Sequence, residues 1–277
     1  NCEWSQELKI NESIGQYVDA WIAIHVLKDY LKIGTSKNRG FTFNMSVGYN
    51  FEGIQNKNVQ YFFEKMNDAS DLISKRVAAI SPIYPEARKI KIPSKISDNI
   101  TLSTMHGCPP EEIEKIGRYL ITEKKLHTVI KLNPTLLGKE KVWEIMRNSG
   151  FPTQVPEEAF NHDLKFPDAI KIIKNLQNLA QENGVHFGIK LTNTLESVNN
   201  RSVFPENETM MYMSGRALHP LAVNVAAKLQ NEFAGKLDIS FSAGANAKNI
   251  SEIIACGMSP VTVCSDILKP GGYMRLG

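Results

Sequence analysis

Short β-branched runs alternate with amphipathic helical stretches along most of this chain, and that alternation restricts the fold more than any other feature. Runs of this kind at 41–47 (FTFNMSV), 100–106 (ITLSTMH), 128–133 (TVIKLN), 185–194 (VHFGIKLTNT), 237–242 (LDISFS) and 260–265 (PVTVCS) read as strands. Helical periodicity covers 13–33, 57–80, 111–124, 139–148, 166–183, 217–233 and 247–256. Residues 81–99 read as a loop broken by Pro82, Pro85 and Pro93, residues 151–160 are ambiguous, and a polar loop follows Thr194. Strand and helix in turn are the signature of βαβ units on a parallel sheet, an α/β fold. Six strands are two short of an eight-stranded barrel. Either the fold is open, or two strands precede Asn1.

The 277 residues suit one large α/β domain as well as two small ones. The chain carries 32 basic against 29 acidic residues, a net charge of +3, and no basic run interleaved with aromatics, so a nucleic-acid role has little support. No apolar stretch approaches the roughly 18 residues that a membrane span needs. The chain starts at Asn1 without a signal-peptide pattern, as the interior of a longer protein would. Cys2, Cys108, Cys256 and Cys264 form no CxxC pair, which speaks against a disulfide framework or an iron–sulfur cluster held here. Reduced thiols in a cytoplasmic protein are the expectation.

Two segments are near-copies: IKLNPTL at 130–136 and IKLTNTL at 189–195. Alternation puts Ile130 and Leu132 on one face and Val129, Lys131 and Asn133 on the other; Ile189 and Leu191 likewise oppose Lys190 and Thr192. With the aliphatic face under helices, each Lys points inward near the carboxyl end of its strand, where barrels hold their catalytic groups. An inward Lys needs an anion, a carbonyl-rich ligand or water. The bland alternative is a Lys that reaches solvent past the strand end.

Three small-residue turns fall close to the C-terminus: Ser214-Gly215-Arg216, Ala243-Gly244-Ala245 and Cys264-Ser265-Asp266. Singly they are ordinary tight turns. On successive strand ends they suggest a phosphate site, since small residues let backbone N–H groups approach an anion. Strand 100–106 delivers His106-Gly107-Cys108 to a helix opening Pro109-Pro110-Glu111-Glu112. Helix initiation alone explains the PPEE run. A thiol at a helix N-terminus has a stabilised thiolate, and His106 can titrate near neutrality, so both are acid/base candidates; alternatively Cys108 fills space and His106 caps. His162 beside Asp163 is a weaker candidate, and His127, His186 and His219 read as structural or surface residues. No spacing argues for a metal.

LSTMHGCPPEEIEKIGRYL, VIKLNPTLLG, FGIKLTNTLESVNN, MYMSGRALHPLAVNVAA and ILKPGGYMRL, with FNMSVGYN and EWSQEL, resemble the YgfK family, whose members are labelled selenate reductase subunits. More distantly, the motif order is similar to the FMN barrels of dihydroorotate and dihydropyrimidine dehydrogenases. The resemblance implies a TIM-type (β/α)8 FMN barrel over residues 1–277, lacking its first two strands, within a larger multi-domain oxidoreductase. It implies that Lys131, with Asn133, holds the flavin ring, joined by Lys190 and Thr192. It places Asn44 and Ser46 on a flavin-facing strand, and Asn193 and Thr194 at the substrate. Ser214, Gly215, Ala243, Gly244, Cys264 and Ser265 match the phosphate turns, with Ala243 in place of a Gly. The long loop that carries the base in the relatives is replaced by the short HGCPP turn, which makes Cys108 the proton donor by position.

Iron–sulfur clusters, FAD and NAD(P) are expected only in domains outside these residues. The resemblance points to hydride transfer between FMN and a small electron-poor substrate, with Lys131 stabilising charge on the reduced flavin and Cys108 or His106 moving the proton. A purine- or pyrimidine-like heterocycle fits the relatives' chemistry better than selenate. Two other classes stay open: a non-catalytic docking barrel of a reductase complex, and a Schiff-base lyase using Lys131 or Lys190 on a phosphorylated substrate.

Overall fold

The computed structural model describes residues 8–33, 40–103, 107–200 and 204–277. The chain divides into two compact units, Asn1–Ile100 and Thr101–Gly277.

In the first unit, helix α1 (Ile10–Leu31) buries Ile14, Val18, Trp21 and Ile22. It packs on α3 (Lys57–Asn67) and α4 (Ser70–Ile80), with a one-turn helix α2 (Phe51–Ile54) before them. The expected helix 57–80 is thus two helices. Asp68 breaks it: its backbone is extended (φ −147°) and its carboxylate accepts the Ser70 N–H, while the Ala69 N–H turns away to Ser94 O. The expected strand 41–47 shrinks to β1, Met45–Val47. Phe41 and Phe43 are drawn into an edge-on ring cluster with Trp21, and the Phe43 carbonyl accepts from Ser97 and Asn99 side chains in place of a ladder partner.

Strand β2 (Asn99–Ser103) leads into the second unit; residues 104–106 of the expected strand lie outside the described residues. Then follow α5 (Pro110–Thr122), β3 (His127–Leu132), α6 (Lys139–Asn148), α7 (Glu157–His162), α8 (Phe166–Glu182) and β4 (Phe187–Leu191). A hairpin of β5 (Leu195–Val198) and β6 (Met210–Met213) precedes α9 (His219–Glu232), β7 (Ile239–Phe241) and α10 (Ile250–Ala255). The sheet of this unit runs in the order β2-β3-β4-β7, with β3-β4 and β4-β7 parallel, and its strands alternate with helices. Within the described residues of the unit this sheet is open.

Helix spacing explains the layering. On α5, Ile113, Ile116, Leu120 and Ile121 are buried at i, i+3, i+7 and i+8; on α8, Ala169, Ile172, Ile173, Leu176 and Ala180 follow the same rule. The two helices pack closely because Gly117 has no side chain: a Cβ there would lie 2.6 Å from Leu176 Cδ1. Beneath the helices, Ile130, Leu132, Ile189, Leu191, Ile239 and Phe241 are each at most 2% exposed. Each such side chain contributes roughly 1.5–3 kcal/mol by leaving water.

Two expectations change here. The segment 260–265 forms only a bridge, Val261 to Phe241, held by Phe241 N–H to Pro260 O and Thr262 N–H to Phe241 O. Strand β7 ends at Phe241, so the ladder has no partner beyond that point. The polar loop after Thr194 contains the β5–β6 hairpin, in antiparallel register from Leu195–Met213 to Val198–Met210. Strand β6 reads MMYM without a β-branched residue, so Tyr212 alone carries strand propensity there, a weak signal.

Candidate functional site

On β3 the buried Ile130 and Leu132 alternate with the partly exposed Val129 and Lys131, and on β4 the buried Ile189 and Leu191 flank the partly exposed Lys190. Lys131 pairs in register with Lys190, and Lys190 with Ser240. The two lysines therefore stand side by side on adjacent parallel strands, roughly 4.8 Å apart along the hydrogen-bonding direction. Both are partly exposed, whereas their neighbours Ile130, Leu132, Ile189 and Leu191 are buried. The inward lysines expected from the two near-copies thus share one row.

One step nearer the carboxyl ends lies a second polar layer. Asn133, Thr192 and Asn193 are all buried. Asn193 Nδ2 donates to Asn133 Oδ1 (2.8 Å) and to Lys131 O (3.1 Å), while its backbone N–H donates to Leu132 O (2.8 Å). This locks the strand-end amides of β3 and β4 together. Ser242 closes the β7 side, with its N–H and hydroxyl both on Leu191 O. Among the described residues, the buried Thr192 Oγ1 has no hydrogen-bond partner, and neither has Ser103 Oγ at the end of β2. Buried hydroxyls without partners are uncommon, and these two stand at the carboxyl ends of β4 and β2, the strands on either side of β3. Thr194 is partly exposed between Asn193 and the hairpin.

The three small-residue turns meet one another. Gly215 (φ +69°) lies against Ser265, where a Cβ would be 3.0 Å from Ser265 Oγ. Gly244 (φ +66°) abuts the first turn so closely that a Cβ would be 2.6 Å from Arg216 Cα and 2.8 Å from Gly215 O. His219 Nδ1 donates to Ala243 O (3.0 Å) and stands edge-on to Phe241, a structural role as expected for it. Asp266, 7% exposed, is surrounded by Arg275 (3.1 Å), Lys269 (3.7 Å) and Arg216 (3.8 Å). The Arg275 guanidinium, helped by Lys269 and Arg216, holds the Asp266 carboxyl below the usual carboxylate range. Three cations around one carboxylate leave an excess of positive charge where the turns converge. Ser214, Cys264 and Ser265 are exposed there. Lys269 and Arg275 escape a reading based on turns alone; the i,i+3 spacing of Asp266 and Lys269 is the only local signal for either.

The HGCPP turn is held by Asp163, which is 4% exposed and accepts from Gly107 N–H (3.3 Å) and Thr135 Oγ1 (2.8 Å). Its neighbour His162 lies over Gly107 and pairs with Glu196 of β5 at 3.4 Å. Glu196 belongs to the hairpin that propensity does not reveal. His106 lies outside the described residues. Cys108 contradicts the expected stabilised thiolate: burial, with Glu112 adding, pushes its thiol up to about 11. Pro109 and Pro110 carry no N–H to offset that burial with a hydrogen bond to the sulfur; Cys108 Sγ lies 3.9 Å from Pro109 O. Asn44 and Ser46 belong to the first unit, where Ser46 is buried in β1 and Asn44 is exposed, its side chain donating to Met45 O.

The described residues contain no group of three or more His, Cys, Asp or Glu suited to a metal ion, and no helix long and apolar enough to cross a membrane. Among solved structures, a ligand-free DHODH from Eimeria tenella is similar over 74% of this chain and 64% of its own, at 15% identity and a TM-score of 0.34. The curated protein named "Putative oxidoreductase YgfK" from Escherichia coli (strain K12) is 44% identical over the whole of this chain, and its counterpart from Escherichia coli O157:H7 is equally so. The chain spans 28% of the length of these relatives. The family model described as "Oxidoreductase YgfK, N-terminal TIM-barrel domain" matches residues 1–277, and the chain belongs to that family of α/β, TIM-barrel oxidoreductase domains.

Proposed function

We propose that this chain is the FMN-binding part of a multi-domain oxidoreductase and that its polar sheet face holds the flavin against a small, electron-poor heterocyclic substrate. The observation that carries the reading is the in-register row of Lys131, Lys190 and Ser240 beneath the unpartnered Thr192 hydroxyl. An isoalloxazine edge offers carbonyl oxygens and ring nitrogens, which match ammonium, amide and hydroxyl donors. The Thr192 Oγ1, buried without a hydrogen-bond partner among the described residues, supports a ligand at this rim. When bound, a flavin supplies hydride transfer.

The chain's own residues bind, orient and polarise. Lys131 and Lys190 place two ammonium groups beside any negative charge that develops on the ligand. Asn133 and Asn193, bonded to each other, have their orientation fixed before anything binds, so Asn193 is preset for the substrate. The turns at 214–216, 243–245 and 264–266, with Arg216, Lys269 and Arg275 adjoining, offer the phosphate a positively charged seat. Cys108, neutral at physiological pH, is a proton donor in this scheme, and its thiol suits that role better than the role of base. FAD, NAD(P) and iron–sulfur clusters belong, on this reading, to other domains of the full-length protein.

The test is chemical. Acid extracts of the full-length protein contain FMN, at near one equivalent per chain, and Lys131→Met with Lys190→Met lowers that content severely. Full-length protein without FMN overturns the proposal. Lysine variants with full FMN content and full activity favour a docking barrel instead.

A further inference from the structure

Away from the polar sheet face, the second unit carries a cavity of about 350 Å³ lined by Leu136, Lys139, Glu157, Phe160, Phe166 and Lys228, with Lys165 at its wall. Its charge is unbalanced. Lys139 is neutralised by Glu157, 2.5 Å away. Among the described residues, the partners of Lys165 are two carbonyls, Phe160 O and Asn161 O. Lys228 donates to Leu136 O (3.0 Å) and stacks over the Phe166 ring at 4.0 Å, with no carboxylate beside it among the described residues. Three lysines against one glutamate leave two positive charges lining this space. Its remaining walls are the apolar surfaces of Leu136, Phe160, Phe166 and Pro167.

We infer that this cavity binds a small organic carboxylate with an apolar body, its head between Lys228 and Lys165 and its body along Phe166 and Phe160. The physical reason is the state of Lys228. A half-buried ammonium without a counter-charge is costly, and its burial pushes its proton affinity down. An anion in the cavity supplies the missing partner, and the aromatic walls favour a ligand that is not fully hydrated. The cavity also touches the 134–137 turn directly after Asn133, through the Leu136 carbonyl that Lys228 holds. None of its lining residues belongs to the lysine row of β3 and β4, so its test does not depend on the flavin reading.

Benzoate is the probe, titrated by isothermal calorimetry into the full-length protein, with benzamide as the neutral isostere and inorganic phosphate as the anion without an apolar body. Benzoate binds, benzamide binds at least about tenfold more weakly, and Lys228→Met and Lys165→Gln each raise the benzoate Kd about tenfold, as loss of a charge-assisted hydrogen bond does. Equal binding of benzoate and benzamide overturns the inference, as does phosphate binding more tightly than benzoate. If Lys228→Met does not fold, the surface variant Lys165→Gln and the isostere pair still decide: an unchanged Kd in Lys165→Gln together with no preference for the anion refutes it.

Discussion

Replacing Gly244 by Ala tests whether the three C-terminal turns form one interlocked unit. Two effects add. At φ +66° an L-residue pays about 1–2 kcal/mol of backbone strain. The new Cβ then lies 2.6 Å from Arg216 Cα, 2.8 Å from Gly215 O and 2.9 Å from Arg216 N, all backbone atoms that no rotamer change can move. Overpacking of this kind adds roughly 1–3 kcal/mol. The expected loss is therefore about 2–5 kcal/mol, unless the 214–216 turn shifts away and loses its contact with Ser265. Global unfolding of a multi-domain protein is a poor readout. Hydrogen exchange read on peptides covering 213–219 and 241–247 is a better one, and protection there falls by at least roughly 30-fold, since about 1.4 kcal/mol is tenfold. Gly235→Ala is the control: its φ is +74° but nothing lies within 4 Å of its Cβ, so strain alone acts, at about 1–2 kcal/mol. Unchanged protection in Gly244→Ala, or an equal effect of the two variants, refutes the interlocking.

Three further outcomes follow from the geometry. Because the folded-state pKa of Asp266 is depressed, its contribution is present above the unfolded value of about 3.9 and is lost as pH falls through the folded value. Asp266→Asn thus removes local protection of 264–276 at pH 6, and its effect fades below about pH 4; an effect that grows with acidity contradicts the assignment. With a thiol at about 11, Cys108 reacts with iodoacetamide more slowly at pH 7.5 than the exposed Cys256 and Cys264, and Glu112→Gln speeds it; peptide mass mapping reads the order. Gly117→Ala puts a methyl 2.6 Å from the buried Leu176 and costs about 1–3 kcal/mol by overpacking, offset by up to about 1 kcal/mol of helix propensity; Gly117→Ala with Leu176→Ala relieves the clash, and a double-mutant cycle without coupling contradicts it.

Periodicity carried the fold a long way. The α/β alternation, helix 139–148 to the residue, and the alternation of Lys131 and Lys190 with buried aliphatic neighbours follow from spacing, because one-sided burial imposes a period of 2 on strands and 3.6 on helices. What spacing does not encode was lost. The break at Asp68 depends on a side chain capping a new helix, and the end of pairing at Val261 depends on where a neighbouring strand stops. The hairpin at 195–213 carries one strong strand former per strand, Val198 and Tyr212, too sparse for composition to reveal its register. The helix N-terminus behind Cys108 misled because burial, with the Glu112 carboxylate nearby, outweighs it and raises the thiol. The cations around Asp266 converge from residues up to 59 positions apart by folding, and only Lys269 is close enough in sequence to be read locally.

The most direct measurement of the central claim is where a flavin sits. Full-length protein freed of FMN is reconstituted with a photoreactive azido-FMN, irradiated and digested, and the labelled peptides are identified by mass. The account predicts labelling concentrated in 128–134, 187–194 and 239–245, competed by unmodified FMN and lost in Lys131→Met with Lys190→Met. Competed labelling that falls wholly outside residues 1–277, with these peptides clean, contradicts it.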